Sequence, residues 1–373
     1  MGADPGGAGT LGSMAYVGML IGALAGGRVS DLSGRRTFVN ASVAWFAVWT
    51  LACAAAAAPW QLGTFRLLAG IGMGAVLPAV LALARELAPP ERTGIVFTIL
   101  LAGVPAGGLL ASVTGLAVLP EQSWRTMFAI GGAASVVILL VTFLRLPDSA
   151  HFAQPRERRP ERAAVRDLFR GGLLRTTLLF PVANFMMLLT WFGLNTWLTT
   201  LMRDLNYPLS SALQFSMTLN VGALAGSFLL AWRSVAWGAR RTAAFSALLT
   251  AAGILGCVMN PGSTPLFLAL IALIGAGAQS ALNLITASVA DTYPVTLRAT
   301  AIGWTHGIGR GGAIVAPQLG GWILAAGFGP HAVLGTFVVT AALGGLFMLV
   351  LTAIGVAAAV RRAPAPLVPT RSR

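Results

Sequence analysis

Three basic side chains stand along one stretch, residues 291–321: Arg298, His306 and Arg310. Arg298 opens an apolar run. Arg310 follows twelve residues later, which at the helical rise puts it roughly 18 Å deep. That is just past the middle of a hydrocarbon core about 30 Å thick. His306 and Arg310 are four apart and share one helix face. An arginine at that depth is costly unless it meets a partner, a water-filled cavity or a substrate. A guanidinium can hold a carboxylate through two parallel hydrogen bonds. Arg310 is therefore a candidate anchor for an organic anion; a structural arginine paired with backbone carbonyls is the alternative. His306 can relay protons near neutrality, or it is a helix contact. Gly303, Gly307 and Gly311 form a second stripe, the small-xxx-small pattern expected to bring a neighbouring helix close.

Other side chains could complete such a site. Gln279 and Asn283 share a face of the preceding apolar run and can hydrogen-bond a substrate. Asn195, Trp191 and Trp197 offer polar and stacking contacts to an aromatic ring. Each also has a plain reading as packing or interfacial anchoring. Cys53 and Cys257 lie in apolar runs with no metal or disulfide spacing and read as small buried hydrophobes. The residues give no cofactor and no metal site.

These residues need a membrane to position them. Hydrophobic residues make up 56% of the chain, charged residues 10%, and mean hydropathy is +0.79. A soluble domain carries about a quarter charged residues. Runs of ~20 apolar residues recur along the whole length and read as helices. The formal charge is +14 and all 25 basic residues are Arg. They cluster in short connections, which argues for positive-inside topology and against nucleic acid as a partner.

About eleven spans are expected, near 11–29, 38–58, 64–84, 94–117, 126–145, 178–201, 211–232, 242–260, 264–289, 299–325 and 332–358. Connections alternate between arginine-rich and nearly uncharged. The arginine-rich set is expected to be cytoplasmic, with the C-terminus inside and the N-terminus outside. Residues 1–146 form one bundle and 176–360 a second. Residues 147–175, with mixed charge and proline, are a cytoplasmic linker, and 361–373 a cytoplasmic tail. An internal repeat supports the division. Gly22-Ala-Leu-Ala-Gly26 recurs as Gly222-Ala-Leu-Ala-Gly226, each followed by a loop ending in paired arginines, Arg35-Arg36 and Arg240-Arg241. Two similar bundles facing a central site are a transporter architecture.

The loop Gly27-Arg-Val-Ser-Asp31-Leu-Ser-Gly34-Arg35-Arg36 resembles the signature G-x-x-x-D-[RK]-x-G-[RK]-[RK] of the major facilitator superfamily, with Leu32 at a usually basic position. Its glycines suit a tight turn, and Asp31 can face a helix N-terminus. The resemblance implies a gate latch, Asp31 meeting the start of the 299–325 helix near Arg298. Arg66-Leu-Leu-Ala-Gly70-Ile-Gly72 resembles that superfamily's R-x-x-x-G-x-G, which implies proton transfer for Arg66; a snorkelling arginine is the alternative.

Residues 291–321 are similar to the eleventh helix of the aromatic acid:proton symporters. Tyr293, Pro294, Arg298, Ala299, Thr300, Gly303, Trp304, Gly307, Gly309, Arg310, Gly312, Pro317, Gly320 and Gly321 fit, and Ala301 departs. Residues 195–201 resemble the seventh helix, with Thr199 where proline is usual. The resemblance implies an all-α major facilitator fold with two pseudo-symmetric bundles. It implies a monomeric inner-membrane transporter that takes up aromatic or other organic carboxylates with protons. An efflux antiporter of the same fold is the alternative. No H-E-x-x-H or G-x-S-x-G occurs, so no enzyme is expected. Gly307-Ile-Gly309-Arg-Gly-Gly312 matches G-x-G-x-x-G but lies inside an apolar helix, which excludes a nucleotide site.

The eleven acidic residues all fall in loops, termini or span edges. In the family the proton-carrying carboxylate lies on a first helix, and this chain begins at what resembles the second. The resemblance thus implies a start downstream of the family's, with upstream codons for a basic tail and one span, or a truncated, transport-deficient product.

Overall fold

Backbone amides have no water to bond in a bilayer core, so apolar runs of this length must close their hydrogen bonds internally. They do so as helices. The structure, a computed structural model, describes residues 4–89, 93–147, 165–170, 173–259 and 262–362. The expected linker residues 148–164 and 171–172 and the tail from 363 lie outside these. So do the side chains of Arg28, Asp31 and Leu32.

Eleven long helices follow in order: α1 Pro5–Ser33, α2 Arg35–Ala55, α3 Pro59–Leu87, α4 Thr93–Val118, α5 Trp124–Arg145, α6 Leu174–Asp204, α7 Leu209–Trp237, α8 Ala239–Val258, α9 Thr264–Thr292, α10 Val295–Ala325 and α11 Gly329–Arg362. Among the described residues, 10 helices are long and apolar enough to cross a membrane. The exception is α10, whose apolar run is diluted by Arg298, His306 and Arg310.

Helix ends differ from expectation where local chemistry extends them. The first helix begins at Pro5 because Asp4 caps it, accepting from the Gly7 amide at 3.0 Å. It runs on to Ser33, so Gly27 lies within the helix and not in a turn. The sharp break comes only at Gly34, with φ 83°. Gly238 does the same between α7 and α8, with φ 81°. Both positions need positive φ, which glycine adopts without strain.

In the first bundle α1 packs on α3, and α2 on α3 and α5. In the second, α7 packs on α9, α8 on α9 and α11, and α6 on α10 and α11. The repeated glycines explain the paired packing. A methyl on Gly22 would collide with the Ile71 carbonyl oxygen of α3. A methyl on Gly222 would meet the Ala272 carbonyl of α9 in the same way. Without a hydrophobic drive between helices in lipid, such close backbone approach is what holds them.

The linker ends in a short 3-10 helix, Val165–Phe169, seated against the second bundle. Leu168 is fully buried there and its carbonyl accepts from Thr177 Oγ1 at 2.6 Å. Phe169 packs edge-on against Trp304 at 5.6 Å. This end of the linker is a packed element, not a solvated strand of chain.

Candidate functional site

The bundles meet along two helix pairs, α1 with α10 and α4 with α7. Arg310 is the middle residue of the 31-residue α10. Together with Gly303, Gly307 and Ile314 it lies on one helix stripe, and this stripe faces the other bundle. On the arginine-poor half the stripe is closed. Thr10 Oγ1 bonds Gln318 Oε1 at 2.8 Å, and Ser13 Oγ donates to the Ile314 carbonyl at 2.7 Å. A methyl on Gly9 would press on Pro317, and one on Gly321 on Pro5. Arg310 closes the series: its Nη1 donates to the Met19 carbonyl at 3.0 Å.

Beyond Arg310 the stripe opens. Among the described residues, a methyl on Gly303 or Gly307 would meet nothing within 4 Å. This corrects the expected packing role of Gly303 and Gly307, whereas Gly311 does meet the Phe185 ring of α6. α10 packs on α6 through Gly311 together with Gly309 on Asn184, Gly312 on Phe185 and Gly320 on Trp197. The second pair repeats the arrangement. Gly108 abuts Asn220 and Gly115 abuts Leu213, whereas Gly103 and Gly107 meet nothing within 4 Å. Arg310 therefore sits where the closed half of the interface gives way to the open half.

The guanidinium carries five N–H donors. One of them is taken by Met19, which leaves donors for a planar, bidentate anion. Arg310 has no carboxylate partner among the described residues.

The other candidates divide. His306 Nε2 bonds Thr286 Oγ1 at 3.0 Å and ties α10 to α9. Gln279 donates to Asn283 at 3.2 Å, and Asn283 to Ser227 at 3.4 Å, with the Gln279 oxygen left unpartnered. These residues form a polar strip on α7, α9 and α10. Asn195 turns back to the Trp191 carbonyl of its own helix, at 2.9 Å. Trp191 is buried in the core of the second bundle. Trp197 Nε1 donates to the Pro317 carbonyl at 3.0 Å. In this conformation Trp191 and Trp197 pack helices together. Arg66 lies in the first bundle, with its Nε buried and unpartnered among the described residues.

Of the latch residues, Gly27 is helical and the Asp31 side chain is outside the description. Gly34 makes the turn. Arg36 donates to the Phe143 carbonyl at 2.9 Å, which fastens α2 to α5. Arg298 lies exposed in the first turn of α10.

Sequence reasoning did not find the first bundle's share of this interface. Tyr16 stacks edge-on against Phe192 at 4.8 Å and bonds Thr196. Asn184 of α6, equally unforeseen, lies within the second bundle: it is fully buried and donates to the Thr305 carbonyl of α10 at 3.3 Å, and among the described residues its own oxygen is unpartnered. A polar residue on an apolar helix was the available signal. The Met19 carbonyl has no sequence signal.

Two helical bundles of one chain, meeting along paired helices with a half-buried cation midway along one of them, are the architecture of a multi-pass membrane transporter. The profile of the Major Facilitator Superfamily matches residues 1–232 and 182–372. The chain belongs to that superfamily. It is 39% identical over 349 residues to the gentisate transporter of Corynebacterium glutamicum, covering 92% of this chain and 78% of that one. It is 30% identical over 355 residues to the benzoate transport protein of Acinetobacter baylyi, covering 86% and 76%. The fold is that of the D-xylose-proton symporter, with a TM-score of 0.73 at 17% identity over 93% of this chain and 88% of that one.

Proposed function

We propose that this chain is a secondary active transporter that takes up benzoate-like or hydroxybenzoate-like acids with protons, by alternating access. The observation that carries this reading is the position of Arg310, at the boundary between the closed and open halves of the bundle interface. The similarity to gentisate and benzoate transporters supports an aromatic carboxylate as its ligand. The guanidinium takes the carboxylate through its free donors. Gln279 and Asn283 meet ring hydroxyls.

The chain sits in a bacterial inner membrane with its arginine-rich ends and C-terminus cytoplasmic. The conformation is then open to the cytoplasm and closed outside. Rocking the bundles would break the Met19 contact and open the other half. Asp31, in the last turn of α1, holds one gate state against the start of α10. His306 carries the proton, since imidazole has the side-chain pKa nearest neutrality.

The test is accumulation of labelled gentisate or benzoate in proteoliposomes, with and without an imposed proton gradient. The gradient should drive uptake above equilibrium. His306→Gln should still exchange labelled for unlabelled acid but lose the accumulation. Wild-type protein that binds neither acid, or accumulates it without regard to the gradient, overturns the reading.

A further inference from the structure

A second cavity, of about 320 Å³, lies away from the bundle interface, at the arginine-rich ends of α7, α9 and α11 and the start of α8. Trp237, Arg240, Arg241, Asp291, Thr352 and Gly355 line it. Its chemistry is that of an anion site. Arg240 is fixed on three sides: Nη2 donates to Thr292 Oγ1 at 2.7 Å, Nη1 rests directly on Gly355, and Asp291 lies within electrostatic reach. The Gly355 position is itself informative, since any side chain there would displace the guanidinium. Arg241 is exposed and makes no ion pair among the described residues. Arg233 stacks over the Trp237 ring at 4.0 Å. Two arginines, Arg240 and Arg241, thus line the cavity with a single carboxylate, Asp291, and Arg233 stands on the lining tryptophan. The α8 start also lacks a side-chain cap, so its first amides stay open toward the same space.

The rim identifies the source of the anion. Trp237 meets Phe245 edge-on at 5.8 Å, and both are substantially exposed. On the same end of α7, beyond the cavity's own lining, Val235 is 87% exposed and Trp232 71% exposed. Such a rim is unfavourable against water and suits acyl chains and the headgroup boundary, where tryptophan is enriched. Basic pockets between transmembrane helices on the cytoplasmic side take anionic headgroups.

We propose that this cavity holds the phosphodiester headgroup of an anionic phospholipid. Arg241 is the main contact. Arg240, already held by Thr292, is the wall, and Asp291 keeps Arg240 in place without neutralising the group. A lipid bound here joins α8, α9 and α11 and stabilises the second bundle from its edge.

The experiment uses the full purified chain in detergent and follows thermal unfolding as lipid is added. Phosphatidylglycerol or cardiolipin should raise Tm by about 5 °C near saturation, and phosphatidylcholine should not. Arg241→Gln should lose most of this rise, and Arg203→Gln, at the opposite ends of the helices, should keep it. Because Arg241 is exposed, its replacement leaves the fold intact, which the lipid-free Tm verifies. An equal rise with inorganic phosphate makes the site a soluble-anion site and overturns the proposal. An undiminished rise in Arg241→Gln, or an equal rise with phosphatidylcholine, overturns it as well.

Discussion

The two bundles share a repeated glycine motif, yet they are packed to different degrees. Buried hydrophobic residues of the second form one cluster running from Leu168 to Leu351. Those of the first form two small clusters, one around Val39, Val43 and Ala79 and one around Cys53, Ala56 and Leu62. The candidate spans of the first bundle are 11% to 39% buried, those of the second 39% to 61%. The extra element is α6, which packs on both α10 and α11. Among the described residues, α4 of the first bundle finds its principal partner across the interface, on α7. The lesson is that a repeat fixes pairwise helix contacts and leaves the number of neighbours open. It also separates roles. Arg310, His306, Gln279 and Asn283 all stand on the tightly packed bundle, which under the proposed function is the fixed platform for binding.

The comparison breaks first at the glycines. Gly222→Leu should leave no monodisperse protein on size-exclusion chromatography, because the side chain must displace the α9 backbone at Ala272 and overpacking costs about 1–3 kcal/mol or more. Gly22→Leu should fail equally. If Gly22→Leu folds, the first bundle is looser than its backbone contacts imply.

Core truncations sharpen the contrast. Phe337 is fully buried against Gly193, and Phe143 is 62% exposed on α5. Phe337→Ala should lose about 3–5 kcal/mol, and Phe143→Ala no more than about 0.5 kcal/mol, read from thermal unfolding in detergent. Similar losses at both positions would remove the distinction between the bundles.

The gate should respond in rate. Asp31→Asn is expected to slow exchange about tenfold while equilibrium binding holds, because it shifts the population of a gate state and not a substrate contact. Weakened binding with normal exchange would place Asp31 in the site. The smallest effect belongs to the open stripe. Gly303→Ala should stabilise α10 by about 0.5–1 kcal/mol, with uptake intact. A loss of stability there would mean that Gly303 packs closely after all.

The sequence made some of this legible and left the rest dark, for physical reasons. Helix number, the two bundles and the Gly22/Gly222 repeat follow from apolar run length and glycine spacing; eleven long helices form, of which 10 are long and apolar enough to span among the described residues. The positive-φ turns at Gly34 and Gly238 also had a signal, a glycine beside paired arginines. The role of Gly303 and Gly307 was misjudged, and that of Gly311 was not, because α10 carries two interleaved glycine stripes. Periodicity cannot say which one meets α6 and which faces the gap. Arg310 was legible as a buried cation, but its bond to the Met19 carbonyl was not, since every residue carries a carbonyl. Tyr16 and Asn184 were missed because one polar group on an apolar helix resembles ordinary packing until its partner is placed.

The central claim is that Arg310 holds the substrate carboxylate. The direct measurement is equilibrium binding of labelled gentisate or benzoate to wild-type, Arg310→Ala and Arg310→Lys proteins of equal thermal stability. The account predicts that Arg310→Ala weakens binding by about 100-fold or more, because an uncompensated charge pair costs 2–5 kcal/mol. Arg310→Lys should restore little of it, because the planar fork is lost. Wild-type affinity in Arg310→Ala would contradict the account and leave Arg310 as a tie between the bundles through Met19.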